Sequence, residues 1–286
     1  MGLVCHDAGA ANILIAAFQR NSVEPVLALM EGPAEKLWKS AFPDIRCDVP
    51  LNEIVLNTTC LYTGSGWASS LELDAIAGAR ERGLFCTAVV DHWVNYDERF
   101  RRDGHRVWPD RFMVTDSDAF NLACRIFPPE KVLQSKNFYL ENQIKKIAAM
   151  DKPKFQQLLF ICEPMRNNWG RDVEGEFQVL EYFFRTLEQL KIPESVKIML
   201  RLHPSEPEGK YDSAIARTQL ATEVSEHLDI ADDIAQSSIV VGCNSYGLIV
   251  GLAVGKLTYN AIPPWAPTSV LPHVGIKPLS ELSFSK

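Results

Sequence analysis

Short apolar runs alternate with longer amphipathic segments along the whole chain, and this alternation limits the possible folds more than any other feature of the sequence. Each apolar run is long enough for a buried strand, and each segment between two runs is long enough for a helix. The pattern is typical of βαβ units, in which helices cover a sheet of parallel strands. We therefore predict an α/β fold.

The first half of the chain shows this alternation from its first residues. The predicted strands are Gly2–Cys5, Pro25–Leu29, Cys60–Thr63, Phe85–Val90 and Arg111–Val114. The predicted helices are Asn12–Arg20, Ala34–Ala41, Ser69–Arg82 and Ser117–Phe127. In the third of these helices Leu71, Ile76 and Ala79 are expected to form the buried face.

The second half repeats the same pattern after a polar, lysine-rich stretch at residues 143–155. The predicted strands are Gln157–Cys162, Val196–Leu202, Ile239–Gly242 and Lys256–Tyr259, and the predicted helices are Glu174–Leu190 and Leu248–Val254. A polar helix is expected between the second and third of these strands. We predict two Rossmann-like domains, residues 1–150 and 151–286, whose parallel sheets face a central cleft, because open parallel sheets bind ligands at the carboxyl ends of their strands.

Charge and cysteine content exclude several classes of protein. The chain has 36 acidic and 29 basic residues and a formal net charge of −7, whereas a protein that binds nucleic acid usually presents a basic face. No stretch approaches the roughly 20 apolar residues of a membrane-spanning helix. The seven cysteines are scattered without a C-x-x-C pair, which favours a reducing, cytoplasmic location without a zinc site or disulfides. The sequence leaves peripheral membrane association and the oligomeric state open.

Two loops in the second half carry residues suited to binding a phosphate. His203 and Pro204 end the apolar strand, and Pro204 prevents the strand from continuing. Asn244, Ser245 and Gly247 lie where a later strand passes into an apolar helix, and the amide groups at such a helix start either are capped by side chains or bind an anion. The absence of a side chain at Gly247 predicts a close approach of ligand to the backbone.

These motifs, R-L-H-P at residues 201–204 and V-V-G-x-N-S-x-x-L at residues 240–248, resemble the donor-binding domain of GT-B glycosyltransferases. The resemblance is to sialyltransferase-like and polysialyltransferase-like enzymes and to transferases of capsule and teichoic-acid polymers. It implies that His203, Asn244 and Ser245 contact the phosphate of a nucleotide donor. Arg166 and Arg171, in the loop after the strand that ends at Cys162, are candidate partners of the same phosphate. Ordinary capping of the helix by Asn244 and Ser245 is the alternative.

The first half offers candidates for acid–base chemistry at its strand ends. Asp7 follows the first strand, and the resemblance implies that it can deprotonate an acceptor hydroxyl. Asp91 and His92 follow another strand, and a carboxylate that binds a histidine is a suitable general base. A tight turn or a solvated loop is the alternative at each place. The predicted acceptor-binding residues are Gly9, Ser65, Trp67, Trp93 and Tyr96, the two last as rings that stack on a sugar.

The triplet Asp116-Ser117-Asp118 resembles the D-x-D motif of metal-dependent transferases, but it directly precedes a predicted helix. Aspartate there caps the helix and favours its dipole, so we predict no metal site. The sequence as a whole predicts a metal-independent glycosyltransferase. Its expected donor is a CMP-, UDP- or CDP-linked sugar, its expected acceptor is a hydroxyl of a surface glycan or polysaccharide, and it needs no cofactor. A sugar-nucleotide epimerase of the same fold and a non-catalytic nucleotide- or glycan-binding protein are the alternatives.

Overall fold

A computed structural model describes residues 1–21, 26–66, 68–151, 157–165, 167–193 and 195–283. The chain divides into two compact units, Met1–Asn142 and Gln143–Lys286. The sequence-based division between residues 150 and 151 lies in the same region and stays a prediction. Trp67, Arg166 and residues 152–155 of the lysine-rich stretch lie outside the described residues.

The first unit contains a parallel sheet, a two-stranded hairpin and five helices among its described residues. The strands are β1 (Gly2–Cys5), β2 (Leu27–Met30), β3 (Cys60–Thr63), β4 (Phe85–Val89), β5 (Arg101–Arg102), β6 (His105–Arg106), β7 (Arg111–Val114) and β8 (Val132–Gln134). The helices are α1 (Ala8–Asn21), α2 (Gly32–Ala41), α3 (Leu51–Asn57), α4 (Leu71–Arg82) and α5 (Ser117–Ile126). A further helix, α6 (Phe138–Ala148), contains the division between the units.

The sheet of the first unit has the order β2-β1-β3-β4-β7-β8, and all its strand pairs are parallel. The chain therefore moves outward from β1 in one direction to β2 and then returns to β3 on the other side. The place between β1 and β3 is the switch point of the sheet, where open α/β sheets bind their ligands.

The second unit has a sheet of six parallel strands. These are β9 (Gln157–Ile161), β10 (Lys197–Arg201), β11 (Thr222–Val224), β12 (Ile239–Gly242), β13 (Leu257–Asn260) and β14 (Lys277–Pro278). The helices are α7 (Gly175–Leu190), α8 (Asp212–Ile215), α9 (Ile230–Gln236) and α10 (Tyr246–Ala253). The sheet order β11-β10-β9-β12-β13-β14 is the Rossmann order, with its switch point between β9 and β12. The predicted α/β fold with two Rossmann-like domains is confirmed.

Each sheet is held by its own hydrophobic core. In the second unit Leu180, Phe183 and Leu187, at helical spacing on α7, are buried, and the Phe183 ring lies 4.5 Å from the ring of Phe160 in β9. In the first unit the buried Trp38 ring of α2 packs on α1 and donates its Nε1–H to a backbone carbonyl. Burial of one such side chain contributes about 1.5–3 kcal/mol.

Among the helix starts that differ from the prediction, those of α1 and α10 change the site. α1 begins at Ala8, directly after Asp7, whereas Asn12 was expected, because the small residues before Asn12 continue the helix. α10 begins at Tyr246, whereas Leu248 was expected. Gly9 and Gly247 therefore lie within the first turns of helices and not in loops.

Candidate functional site

The carboxyl edge of the second sheet brings the two predicted phosphate-binding loops to one place. Glu163 follows β9 and Asn244 follows β12, the two strands at the switch point, and the Asn244 N–H donates a hydrogen bond of 2.9 Å to Glu163 Oε2. Burial raises the pKa of Glu163. β10, which leads to His203, pairs with the other side of β9, so the ends of β10 and β12 lie two strand spacings apart, about 10 Å.

His203 presents an exposed imidazole at this edge. Its Nδ1 lies 3.2 Å from the Ser205 backbone N–H and 2.7 Å from the Ser205 hydroxyl. A backbone N–H can only donate, so Nδ1 accepts, and the proton of the neutral ring is on Nε2. Partial burial lowers the pKa of His203 below 6.5. The ring is therefore a neutral N–H donor near pH 7.

A buried polar network holds the loop that carries His203. The His203 backbone N–H donates to Glu206 Oε2 at 3.1 Å, while the Tyr211 hydroxyl and the Lys210 ammonium donate to Glu206 Oε1. Lys210 also donates to Glu176 on α7 at 2.6 Å. Burial alone would raise the pKa of Glu206, but the hydrogen bonds from Tyr211 and Lys210 outweigh it and lower that pKa. Sequence reasoning missed these residues, since each lies in a polar segment without a motif.

The side chains of Asn244 and Ser245 form hydrogen bonds within the protein. Ser245 caps α10, because its hydroxyl accepts the Gly247 N–H at 3.2 Å. Asn244 Oδ1 accepts hydrogen bonds of 3.1 Å from the Ser269 hydroxyl and the Val270 N–H. The Leu248 N–H also donates to the Ser245 carbonyl at 3.0 Å, so Ser245 satisfies the amides at the start of α10, and the positive end of the helix dipole remains for a ligand.

Gly247 is buried, which corrects the prediction that its missing side chain lets a ligand approach the backbone. A Cβ at this position would lie 2.5 Å from Ile161 Cδ1 and from Ile230 Cδ1. The missing side chain lets α10 pack on β9 and α9 and does not open the backbone to a ligand. Arg171 is exposed and its guanidinium lies 4.0 Å from the centre of the Trp265 ring, a cation–π contact that holds the loop after β9. The predicted contact between Arg171 and a donor phosphate stays a prediction.

The carboxyl edge of the first sheet gathers acidic residues around its switch point. His6 and Asp7 follow β1, and His6 Nδ1 lies 2.9 Å from Asp7 Oδ1. A Cβ at Gly66, which follows β3, would overlap the Asp7 carboxylate, and a Cβ at Gly9 would overlap the carboxylate of Asp91. The structure therefore brings Asp7, Gly9 and Asp91 together, as the sequence predicted for one sheet edge.

Asp91 is bound by a buried arginine that the sequence analysis did not single out. Arg99 Nη1 lies 3.0 Å from Asp91 Oδ1, with 6% of the arginine and 17% of the aspartate side chain exposed. The same nitrogen donates to the Ser65 carbonyl at 3.0 Å. Ser65 is itself buried and its hydroxyl donates to the Val89 carbonyl at 2.7 Å, which corrects its prediction as an acceptor-binding residue.

The aromatic residues after β4 are also core residues. Trp93 is 6% exposed and Tyr96 is 1% exposed, and the Tyr96 ring stacks on Phe127 with 6.0 Å between ring centres. Their faces are covered by protein, which corrects the prediction that they stack on a sugar. His92 is half-buried, with its ring edge against Trp93. The predicted contact of Trp67 with an acceptor concerns a residue outside the described part of the chain.

Glu72 is the main residue of this edge that sequence reasoning missed. It lies in the first turn of α4 and is 1% exposed. Its Oε1 accepts the His6 N–H at 2.8 Å, and Oε2 has no hydrogen-bond partner within the described residues. Burial raises the pKa of Glu72 above its ordinary value of 4.5. A glutamate between two leucines on a helix facing the sheet was the available signal, because such positions are usually apolar.

We expect Glu72→Gln to remove a pH dependence of stability. A carboxyl whose pKa is raised in the folded state binds more protons there than in the unfolded chain, so the free energy of unfolding falls as pH rises above 4.5. The variant should gain stability over the wild type across this range, by about 1.4 kcal/mol for each unit of raised pKa. Urea unfolding between pH 4.5 and 7.5 measures the difference in free energy of unfolding, with a substitution at an exposed glutamate, Glu53→Gln, as control. A difference that is constant with pH would contradict the prediction.

Asp116 caps α5, since its Oδ1 accepts the Ala119 N–H at 2.7 Å, as expected from the sequence. In the described ranges no group of three or more His, Cys, Asp and Glu side chains is arranged to hold a metal ion. None of the helices built from these residues is long and apolar enough to cross a membrane.

Comparison with known proteins identifies the fold. No family model and no curated protein matches the sequence. Among solved structures, the MnaA–UDP complex of S. aureus has a TM-score of 0.63, with 12% identity over 91% of this chain and 78% of that one. The UDP-GlcNAc 2-epimerase of Methanocaldococcus jannaschii gives 0.60, with 9% identity over 91% and 82%. An α/β-galactoside α-2,3-sialyltransferase of Photobacterium phosphoreum gives 0.50, with 12% identity over 99% and 98%.

These neighbours share little sequence with the chain, so the likeness concerns the fold. The three neighbours have GT-B-type folds, and the two parallel six-stranded sheets of this chain agree with that likeness. The chain therefore has a GT-B-type α/β fold.

Proposed function

We propose that this chain is an enzyme that binds a nucleotide-activated sugar and transfers the sugar to a hydroxyl of a glycan or polysaccharide without a metal ion. The observation that carries the proposal is His203, a neutral imidazole donor next to the switch point of a sheet in the Rossmann order. Free thiols at all seven cysteines favour a reducing, cytoplasmic setting for the reaction.

The second unit would bind the donor through its phosphate. His203 offers Nε2–H, and the start of α10 offers the positive end of the helix dipole. Donors fixed in advance stabilise the negative charge that develops on a leaving phosphate without reorganising during the reaction. Arg171 lies in the loop after β9 and would add a positive charge near this edge.

The first unit would supply the base, and Asp7 is the better candidate of the two aspartates. Asp91 is occupied by Arg99 and packs on Gly9, whereas 29% of the Asp7 side chain is exposed. His6 binds Oδ1 of Asp7, which orients the carboxylate and leaves Oδ2 over Gly66. Asp7 would take the proton of the acceptor hydroxyl as its oxygen bonds to the sugar carbon. The bond from that carbon to the phosphate oxygen breaks, and the electron pair leaves with the nucleotide.

Epimerisation of a nucleotide sugar is the second candidate. It is favoured by the TM-scores of the MnaA–UDP complex, 0.63, and of the UDP-GlcNAc 2-epimerase, 0.60, which are higher than the 0.50 of the sialyltransferase. The two reactions differ in their need for an acceptor. An NMR assay of UDP-GlcNAc and CMP- and CDP-sugars, each with and without a glycan acceptor, separates them. A new sugar nucleotide without acceptor indicates epimerisation, and free nucleotide formed only with acceptor indicates transfer.

Binding is tested with nucleotides alone. We expect one of CMP, CDP, UDP, GDP and ADP to bind in calorimetry, and His203→Ala to weaken that binding about tenfold to a hundredfold, because hydrogen bonds to charged groups are worth 1.5–3 kcal/mol. His105→Ala, an exposed histidine of the β5–β6 hairpin, is the matched control and should bind normally. Nucleotide binding that survives His203→Ala unchanged would contradict the proposed donor site.

A further inference from the structure

The first unit contains a cavity of about 340 Å³ that is not part of the candidate site. It lies on one face of the sheet, and its floor is formed by side chains of five strands, among them Leu3, Thr87 and Met113. Ile13, Leu14 and Phe18 of α1 form one wall, and Leu133 and Phe138 lie opposite. The volume is within the range of small-molecule pockets.

The topology explains why this face is open. Along β7 alternate side chains point to opposite faces, so Met113 faces the cavity and Phe112 faces away from it. Phe112 stacks on Phe127 at the end of α5, with 3.7 Å between ring centres. α5 therefore covers the other face, as right-handed crossovers in one direction along the sheet require. On the cavity side α1 covers the region of β1, and Phe85 and Leu133 remain 46% and 41% exposed.

The charges around the cavity have one sign. Arg111, at the start of β7, lies at one end and Lys136, after β8, lies at the other, and both are exposed. The Arg111 guanidinium lies 5.2 Å from the centre of the Phe85 ring. In the described part of the chain neither cation forms an ion pair, and no aspartate or glutamate is among the lining residues. An otherwise acidic chain thus presents an apolar groove flanked by cations.

We propose that this cavity binds a single-chain anionic amphiphile, an alkyl or prenyl chain with a phosphate or carboxylate head. The chain would displace water from the apolar floor between α1 and β8. The head would contact Arg111, whose guanidinium can bind a phosphate or carboxylate through two parallel hydrogen bonds. If the amphiphile lies in the opposite orientation, its head would contact Lys136. The proposal is independent of the proposed function, since none of the residues of the donor or base sites lines the cavity.

Calorimetry with hexyl, octyl, decyl and dodecyl phosphate, below their aggregation concentrations, tests the proposal. Burial of each added methylene should tighten binding about fourfold until the chain fills the groove, after which affinity should level off. Decanol and decyltrimethylammonium should bind at least tenfold more weakly than decyl phosphate, and inorganic phosphate should not bind measurably. Equal binding of the three decyl compounds would overturn the assigned anion.

Three variants locate the ligand. Ala17→Trp, at a half-buried position of α1 that lines the groove, should abolish binding while the melting temperature is kept. Arg111→Gln together with Lys136→Gln should weaken the binding of decyl phosphate about tenfold or more and leave the binding of decanol unchanged. Arg125→Gln, an exposed arginine of α5 on the other side of the sheet, is the matched control. Normal binding by folded Ala17→Trp, or a dimer that dissociates in this variant while no amphiphile binds, would overturn the proposal.

Discussion

We expect Asp7→Asn to lower turnover of the nucleotide sugar by a factor of 10² to 10⁴ while nucleotide binding is kept. This is the usual contribution of a general base. Asparagine has the shape of aspartate and its Oδ1 can still meet the His6 ring, so the first turn of α1 should keep its geometry. The loss would come from the missing proton acceptor alone. Turnover and nucleotide affinity, measured on the same preparation, separate the two effects.

Two other aspartates make this experiment specific. Asp118→Asn changes an exposed residue in the first turn of α5 and should leave turnover unchanged. Asp91→Asn should instead lower the free energy of unfolding, because it removes the negative charge 3.0 Å from the buried Arg99 guanidinium. Full activity of Asp7→Asn, or a loss of activity in Asp91→Asn without loss of stability, would show that the base has been assigned to the wrong aspartate.

The sequence predicted the parallel sheets well because their strands are buried. The strands Gly2–Cys5, Cys60–Thr63, Arg111–Val114 and Ile239–Gly242 have the predicted bounds. The edge strands β8, β11 and β14 were missed because they are short and largely exposed, so no apolar run marks them. The β5–β6 hairpin did have a signal. Asp103-Gly104 is a dipeptide of type I′ turns, and both residues have positive φ, 48° and 78°.

The sequence predicted which residues lie at the same sheet edge better than it predicted which side chains are accessible there. Strand ends in a parallel sheet share one edge, so the grouping of Asp7 with Asp91, and of His203 with Asn244, followed from the strand pattern. Which side chains remain accessible depends on tertiary packing. Trp93, Tyr96 and Ser65 are part of the core, Glu72 contacts His6 from 66 residues away, and Arg99 contacts Asp91 from a short helical turn eight residues later. Among these residues only Glu72, a glutamate between two leucines, carries a local sign of its burial.

The largest effect on stability is expected at Asp233, the fully buried aspartate of α9. Its carboxylate accepts hydrogen bonds from Arg201 Nη1 and from the Ser225 hydroxyl, both at 2.5 Å, and lies 2.8 Å from His227 Nδ1. Asp233→Ala leaves Arg201, only 16% exposed, without its counter-charge, and removes the acceptor of the Ser225 hydroxyl and the group that faces His227 Nδ1. Removing one member of a buried ion pair costs about 3–5 kcal/mol. Urea unfolding measures this loss.

The neighbouring residue provides the control. Asp232 has 35% of its side chain exposed and lies 3.5 Å from Lys146, a surface pair worth at most about 1 kcal/mol. Asp232→Ala should therefore change the free energy of unfolding by less than a third of the change in Asp233→Ala. Equal effects of the two substitutions would show that the network around Asp233 does not hold the second unit together.

Asp233→Ala should also weaken nucleotide binding at the proposed donor site. Arg201 is the last residue of β10, and His203 follows it by two residues, so the Asp233 carboxylate fixes the strand end from which the imidazole projects. At a temperature where Asp233→Ala is still folded, nucleotide affinity should fall because the His203 loop is no longer held at its base. A variant that is destabilised but binds nucleotide as tightly as the wild type would show that Glu206 and Lys210 alone position His203.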